Sequence, residues 1–236
     1  MLRDKMTDNI RDRFQEVMDR IRGAAQACGR DPESVRLVVV SKTVGADSVK
    51  EAILSGAKIL GENYVQEARD KINALSLSDI SWHFIGHLQT NKAKYAVRLF
   101  DLIHSVDSFK LAREIDKYAG KIAKCQPVLV QVNIAGEATR SGISEEKAVN
   151  LVKEISRLEN LSIKGLMTMP PFFNAPDRVR PFFAALKVLS GLIRAEQIPN
   201  VEMAELSMGM TGDFEVAIEE GATLVRVGTA IFGERS

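Results

Sequence analysis

The sequence predicts a single-domain α/β protein, a closed (β/α)8 TIM barrel with an extra N-terminal helix. From residue 36 onward, eight short apolar segments alternate with longer amphipathic segments. Several of the short segments are nearly continuous runs of aliphatic residues, which is typical of parallel strands buried on both faces. The length of 236 residues suits one such barrel. No glycine-rich dinucleotide loop follows the first segment, and this favours a barrel over an open sheet.

The predicted strands are short, and most end next to polar or glycine residues. They are residues 36–42, 57–63, 82–88, 101–107, 127–133, 161–167, 201–207 and 222–228. The segments between them have apolar residues at helical spacing. These predict helices over residues 47–54, 65–75, 108–118, 145–158, 178–195 and 214–220.

One more helix is predicted before the first strand, from about residue 7 to residue 28. We expect it to lie within an N-terminal segment, residues 1–30, that packs on the barrel, so that residues 1–236 form one domain. Because the sequence ends at Ser236, shortly after the last strand, no helix is expected after that strand. The N-terminal helix would cover the position that it leaves open.

Composition restricts the class of protein. The chain has 32 Lys and Arg against 31 Asp and Glu, a net charge of +1, so no large basic surface for nucleic acid is expected. No apolar run approaches the roughly 18 residues of a membrane span, and the N-terminus is too charged for a signal peptide. These features predict a cytoplasmic protein. Cys28 and Cys125 match no metal or redox spacing, so we expect two buried or partly buried thiols and no metal site.

Functional residues of parallel barrels lie at the carboxyl ends of the strands, where Lys42 is the first candidate. It shares strand parity with Val38 and Val40, so the three side chains point to the same side. Desolvation lowers the pKa of a lysine and makes its amine available for imine formation. The alternative is a lysine that only extends into solvent at a strand end. The position alone favours this alternative.

The ends of the last two predicted strands change that balance. Barrels often bind phosphate in the loops that follow these strands. Small and hydroxyl residues are found there: Ser207, Gly209, Thr211, Gly212, Gly228 and Thr229. The glycines would otherwise only form tight turns. Arg226 shares parity with Leu224, and its permanent charge needs a carboxylate or a ligand acceptor as partner. A lysine, a phosphate site and an arginine are the groups that pyridoxal 5'-phosphate (PLP) typically needs.

Six ordered blocks extend over almost the whole chain. They are VVVSKT (38–43), GENYVQEARDK (61–71), WHFIGHLQTNK (82–92), GLMTM (165–169), ELSMGMTGDFEVAI (205–218) and VRVGTAIFG (225–233). In this order they resemble the pyridoxal phosphate homeostasis protein family, barrels similar to the N-terminal domain of alanine racemase. Thr211 stands where that family usually has serine, which keeps the hydroxyl.

The resemblance implies a role for each candidate residue. It implies that PLP is bound as a Schiff base on Lys42, with Asn63 near the cofactor. It implies that the phosphate is bound by Ser207, Gly228 and Thr229. It further implies that Arg226 faces the pyridine nitrogen and that the ring is close to Met167 and Met208. The HLQTNK block (87–92) receives no role from it.

We expect a protein of intracellular PLP homeostasis that buffers or delivers PLP, with no catalytic residue. Arg226 would keep the ring nitrogen unprotonated and weaken the ring as an electron sink. The resemblance implies that racemases of this fold use a second β domain and a residue of a partner subunit, whereas this sequence ends at Ser236. PLP-dependent apoenzymes are the expected recipients, and a monomer is expected.

Two alternatives stay open. The first is a racemase-like PLP enzyme acting on an amino acid, with Tyr64 as its acid or base. The second is a Schiff-base aldolase without a cofactor, acting on a phosphorylated sugar.

Overall fold

The computed structural model describes residues 9–76, 79–137, 139–171 and 173–233. In these ranges the strands are β1 (Arg36–Val40), β2 (Ile59–Glu62), β3 (Ser81–Phe84), β4 (Leu102–Val106), β5 (Gln126–Asn133), β6 (Ile143–Ser144), β7 (Leu161–Met167), β8 (Val201–Ser207) and β9 (Leu224–Val227). All pair in parallel. Eight of them form a closed ring in the order β1-β2-β3-β4-β5-β7-β8-β9, with β9 pairing back to β1. The two-residue β6 pairs with the end of β5.

Helices connect the strands on the outside of the ring. In the described ranges they are α1 (Ile10–Ala27), α2 (Ala46–Leu54), α3 (Val65–Leu75), α4 (Ala93–Leu99), α5 (Phe109–Gly120), α6 (Glu145–Ile155), α7 (Arg180–Ala195), α8 (Phe214–Glu219) and α9 (Thr229–Phe232). Short 3-10 turns precede β1, α4 and α7. The structure therefore confirms the predicted TIM barrel with its N-terminal helix.

Three elements differ from the prediction. The expectation of no helix after the last strand was wrong, because α9 forms one turn directly after β9. Helix α4 was not predicted, since its seven residues are too few to establish a helical period. Strand β6 was also missed, because two residues carry no alternation.

Helix α1 lies against the outside of the barrel near its last strand. Its buried residues recur every three or four positions, as expected for one apolar face: Ile10, Phe14, Val17, Ile21 and Ala25. It contacts α2, α8 and α9. Arg13 Nε donates to the carbonyl of Ile231 at 2.7 Å. The N-terminal helix thus occupies the gap between α2 and the last two helices.

The hydrophobic core has two layers because side chains alternate along each strand. Val39 packs in the outer layer between the sheet and the helices. Val38 packs in the inner layer that fills the barrel, together with residues from most of the other strands. Val40 packs against this inner layer as well. Any side chain of the same parity at the end of β1 therefore faces the barrel axis.

The two cysteines do not match their prediction. Both are exposed, and neither forms a disulfide, so the expectation of buried or partly buried thiols was wrong. Cys28 follows the end of α1 and Cys125 precedes β5, positions outside both core layers. Across the described ranges, none of the helices combines the length and the apolar character that a membrane crossing requires.

Replacing Gly165 with alanine is expected to destabilise the fold by about 1–3 kcal/mol, the usual cost of overpacking. A Cβ at this position would lie 1.9 Å from the backbone oxygen of Glu205 in the neighbouring strand. Urea unfolding measures the effect. Gly191→Ala is the matched control, since nothing lies within 4 Å of that Cβ and alanine favours the helix. Equal stabilities of the two variants would contradict the packing of β7 on β8.

Candidate functional site

A cavity of about 280 Å³ lies at the carboxyl ends of the barrel strands. Its lining comes from β1 and β9 and from the segments that follow β1, β2, β3, β7, β8 and β9. The described residues that line it are Val40, Lys42, Asn63, Ile85, Met169, Phe173, Met210, Thr211, Gly212, Asp213, Arg226, Gly228 and Thr229. This is the end of the barrel at which the sequence predicts the functional residues.

Lys42 lies in the tight turn that follows β1. The N–H of Ser41 still donates to Gly61 of β2 at 3.0 Å, and the N–H of Val44 closes the turn on the Ser41 carbonyl at 3.0 Å. Lys42 itself is half-buried and lines the cavity together with Val40. The structure therefore places the Lys42 side chain on the same, inner side as Val40, as its strand parity predicts.

Asn63 is fixed at the cavity wall by its backbone. A Cβ on Gly86 would lie 2.4 Å from the carbonyl oxygen of Asn63. Glycine therefore allows the loop after β3 to pack directly against the loop after β2. The predicted strand 82–88 ends at Phe84, before this contact.

Arg226 forms the buried floor of the cavity and is only 4% exposed. Its Nη1 donates to Ser207 Oγ at 2.6 Å, and its Nη2 donates to the carbonyl of Thr168 at 2.9 Å. Burial lowers the pKa of Arg226 to about 10, opposed by the charge of Asp213. The guanidinium therefore stays charged at neutral pH. Neither hydrogen-bond partner is a carboxylate, so they leave its positive charge uncompensated.

A chain of hydrogen bonds continues from Arg226 into the barrel. Ser207 Oγ lies 2.9 Å from His104 Nδ1, and His104 Nε2 lies 3.0 Å from His83 Nδ1. A guanidinium can only donate, so Ser207 accepts from Arg226. Burial lowers the pKa of His83 to about 3 and that of His104 well below its usual range. Both imidazoles are therefore neutral at neutral pH.

The loops after β8 and β9 form a further part of the cavity wall. Gly209 adopts a φ of +90°, and a Cβ there would lie 2.6 Å from Ala217 Cβ, so glycine is needed to bring this loop onto α8. Gly228 precedes α9, and its missing side chain allows it to pass close to Val40. The N–H groups of Ile231 and Phe232 donate to the Gly228 carbonyl, so the first N–H groups without a partner inside this short helix are those of Thr229 and Ala230. Together with the Thr229 hydroxyl, they provide donors in this part of the site.

The structure brings five of the eight predicted site residues together around one cavity: Lys42, Asn63, Arg226, Gly228 and Thr229. The other three are buried and, among the described residues, are not part of the lining. Ser207 lies behind Arg226, Met167 belongs to the inner core layer, and Met208 packs in the outer layer. Their contacts with a cofactor stay predictions.

Sequence reasoning missed several residues of the site. His104 lies in an apolar strand, and only its shared parity with Leu102 could have indicated an inward position. Asp213 accepts a hydrogen bond from the Met210 N–H at 2.6 Å, and the rule about strand ends points to that loop. Phe173 belongs to the segment after β7, where no periodic signal predicts the path of the chain.

A larger open groove of about 610 Å³ adjoins the cavity and shares Asn63 with it. Residues of the HLQTNK block line this groove, among them His87, Gln89 and Lys92. Tyr64, the predicted acid or base of a racemase-like enzyme, is 60% exposed and lines the groove. It is absent from the described lining of the cavity. Across the described ranges, acidic, histidine and cysteine side chains form no cluster that could hold a metal ion.

Comparison with known proteins first gives the class. The family model described as "Alanine racemase, N-terminal domain" matches residues 7–236, which places the chain among the alanine racemase-type barrels. The structure of an alanine racemase from Clostridium difficile has a TM-score of 0.73 at 15% identity. It covers 95% of this chain, which covers 57% of the racemase. At this identity the likeness shows a shared fold.

The relatives then give the family. A pyridoxal phosphate homeostasis protein of Aquifex aeolicus is 45% identical over 96% of this chain and 99% of its own length. One from Escherichia coli is 38% identical over 97% of each chain. The PLP-bound structure of PipY from Synechococcus elongatus has a TM-score of 0.84 at 35% identity, covering 95% of this chain and all of PipY. The chain belongs to the pyridoxal phosphate homeostasis protein family.

Acid is expected to destabilise the protein through its buried histidines. Unfolding returns the pKa of His83 from about 3 to its ordinary value of 6.5. Between about pH 7 and about pH 3, the unfolded chain therefore binds more protons than the folded protein does, and stability falls as the pH falls. Each such histidine removes up to about 1.4 kcal/mol of stability per pH unit in this window.

Urea unfolding between about pH 7.5 and about pH 4.5 measures this dependence. His104→Gln, which removes one of the two groups, should show a shallower loss of stability with falling pH. His87→Asn is the matched control, because it removes an exposed histidine outside the hydrogen-bond chain. Identical slopes for wild type and His104→Gln would show that His104 is not held neutral in the folded protein.

Proposed function

We propose that this protein binds PLP reversibly as a Schiff base on Lys42 and serves intracellular PLP homeostasis by buffering or delivering the cofactor. The observation that carries the proposal is that Lys42, Arg226 and the Gly228–Thr229 helix start surround one cavity. Family membership supports it, since the curated relatives are named pyridoxal phosphate homeostasis proteins. The related PipY has PLP bound in its structure.

The chemistry of the cavity fits PLP. Its volume of 280 Å³ is near the lower end of small-molecule sites, about 300 Å³. An amine at one wall can react with an aldehyde, and Val40 and Ile85 offer an apolar surface to a flat ring. Thr229 and the adjacent N–H groups suit a phosphate. The positive charge of Arg226, which lacks a carboxylate in direct contact, favours an anionic ligand.

PLP, when bound, supplies an aldehyde carbon on an electron-withdrawing ring. Lys42 would hold it covalently through its amine. Arg226 would donate to the ring nitrogen, and because a guanidinium has no acceptor atom it cannot take a proton from that ring. Ser207 and Thr168 hold the guanidinium from behind, so its orientation does not depend on the ligand.

The described lining of the cavity favours binding over turnover. Its titratable side chains are Lys42, Asp213 and Arg226. Burial raises the pKa of Asp213, but its carboxylate is engaged by the Met210 N–H. Tyr64 faces the neighbouring groove instead. We therefore propose that none of the described lining residues acts as the acid or base of a racemase. We also propose that the protein is a cytoplasmic monomer that delivers PLP to PLP-dependent apoenzymes.

Wild-type protein incubated with PLP and then desalted is expected to keep a visible absorption band, whereas Lys42→Ala is expected to lose it. The band arises from the imine between the lysine amine and the PLP aldehyde. Borohydride reduction followed by peptide mass spectrometry should place the cofactor on Lys42. Lys94→Ala, on the exposed face of α4, is the matched control.

Two outcomes would contradict the proposal. A wild-type protein that forms no band would overturn PLP binding, and borohydride trapping of a phosphorylated sugar would then support the aldolase alternative. Chiral chromatography measures the racemisation of an amino acid. Racemisation at ordinary enzyme rates would contradict the carrier function and support the racemase-like enzyme.

Thr229→Val is expected to weaken PLP binding about tenfold, the effect of losing one hydrogen bond to a charged group. Binding of pyridoxal, which lacks the phosphate, should not change. Valine keeps the shape of threonine, and the exposed position tolerates it. Absorbance titration with both ligands gives the two affinities. Equal losses for PLP and pyridoxal would show that Thr229 does not contact the phosphate.

A further inference from the structure

A buried ion cluster lies directly beneath the turn that carries Lys42. Lys71 of α3 is only 6% exposed, which is unusual for a lysine. Its Nζ donates to Glu62 Oε1 and to Glu67 Oε1, each at 2.7 Å. Glu62, at the end of β2, is fully buried, whereas the Glu67 side chain is 23% exposed. One lysine thus joins two carboxylates from different elements.

The cluster holds the residues on both sides of Lys42. Ser41 Oγ donates to Glu62 Oε1 at 2.6 Å, and Lys71 Nζ donates to the Ser41 carbonyl. On the other side, the N–H of Thr43 donates to Glu67 Oε1 at 2.5 Å. The backbone before and after Lys42 is therefore tied to the same buried charges.

The turn needs such support because its backbone is strained. Thr43 has a φ of +60°, in the left-handed region that a β-branched residue rarely adopts. Conformations of this kind persist only when surrounding contacts enforce them. The bond from the Thr43 N–H to a carboxylate is charge-assisted, the stronger class of hydrogen bond.

Stability alone does not account for the cluster. Replacing a buried ion pair by apolar residues often leaves a protein equally stable or more stable. Glu62 retains one buried oxygen without a hydrogen-bond partner, and burial raises its pKa against the opposing bonds from Lys71 and Ser41. An arrangement with this cost is better explained by the geometry that it imposes on the turn.

We propose that Glu62, Glu67 and Lys71 are positioning residues for Lys42, which hold its turn so that the amine points into the cavity. The proposal rests on the proposed Schiff base and deepens it. A reacting amine held at the correct place forms its bond far more readily than one on a mobile turn. Glu67 carries the test because it is partly exposed, so its loss does not leave a buried cavity.

Glu67→Ala is expected to weaken PLP binding about tenfold, the effect of losing the charge-assisted hydrogen bond that the Thr43 N–H donates to this carboxylate. Binding of 4'-deoxypyridoxine 5'-phosphate, which has the ring and phosphate but no aldehyde, should stay at the wild-type value. Glu67→Gln keeps an oxygen that accepts from the Thr43 N–H and should recover most of the PLP affinity. Asp70→Ala is the matched control, an exposed acid on the same helix that pairs with Arg69.

Absorbance titration gives the PLP affinities, competition calorimetry gives those of the analogue, and thermal unfolding checks the folded state of each variant. Wild-type PLP affinity in Glu67→Ala would overturn the positioning role. Equal losses for PLP and the analogue would also overturn it, because the whole site would then be affected. The proposed function fails in a different way, when the wild-type protein itself forms no lysine-dependent band.

Discussion

The site depends on the burial of charged groups at one end of a closed barrel. A buried polar group loses its contacts with bulk water, and a partner within the protein offsets that cost. Arg226 meets this requirement inside the ring of strands through Ser207 and Thr168, and Ser207 in turn contacts His104. Lys71 meets it outside the ring through two carboxylates. Lys42 follows β1 and lies between the network of Arg226 and the network of Lys71.

The two networks leave opposite electrostatic results. Glu62 and Glu67 neutralise the charge of Lys71. This network therefore holds the turn that carries Lys42 without adding a positive potential to the cavity. The partners of Arg226 are a hydroxyl and a carbonyl, and the histidines behind them are neutral because of their burial. Its positive charge therefore acts on the cavity, opposed mainly by Asp213. In the proposed function, an anionic ligand would gain from the network of Arg226, and the network of Lys71 would hold the turn that carries Lys42.

The alternation of apolar strands and amphipathic helices was sufficient to predict the barrel, because burial on both faces leaves a clear signal in the sequence. Strand parity also placed Lys42 and Arg226 inward. Short elements such as α9 lack enough residues to show a period. The sequence could not show that Ser207 faces Arg226 and His104, since that contact joins residues from three strands. The path of the segment carrying Met169 and Phe173 is set by packing that no local pattern records.

A carrier must release what it binds, and the exposure of the site suits this requirement. Lys42 is half-buried, while Gly212 and Thr229, in the loops after β8 and β9, are exposed. A ligand held on the Lys42 amine would therefore stay accessible to water. Active sites that protect reactive intermediates exclude water instead. An oriented arginine, a held lysine turn and an open mouth together favour binding that is specific yet reversible. This combination supports homeostasis as the proposed function more directly than any single residue does.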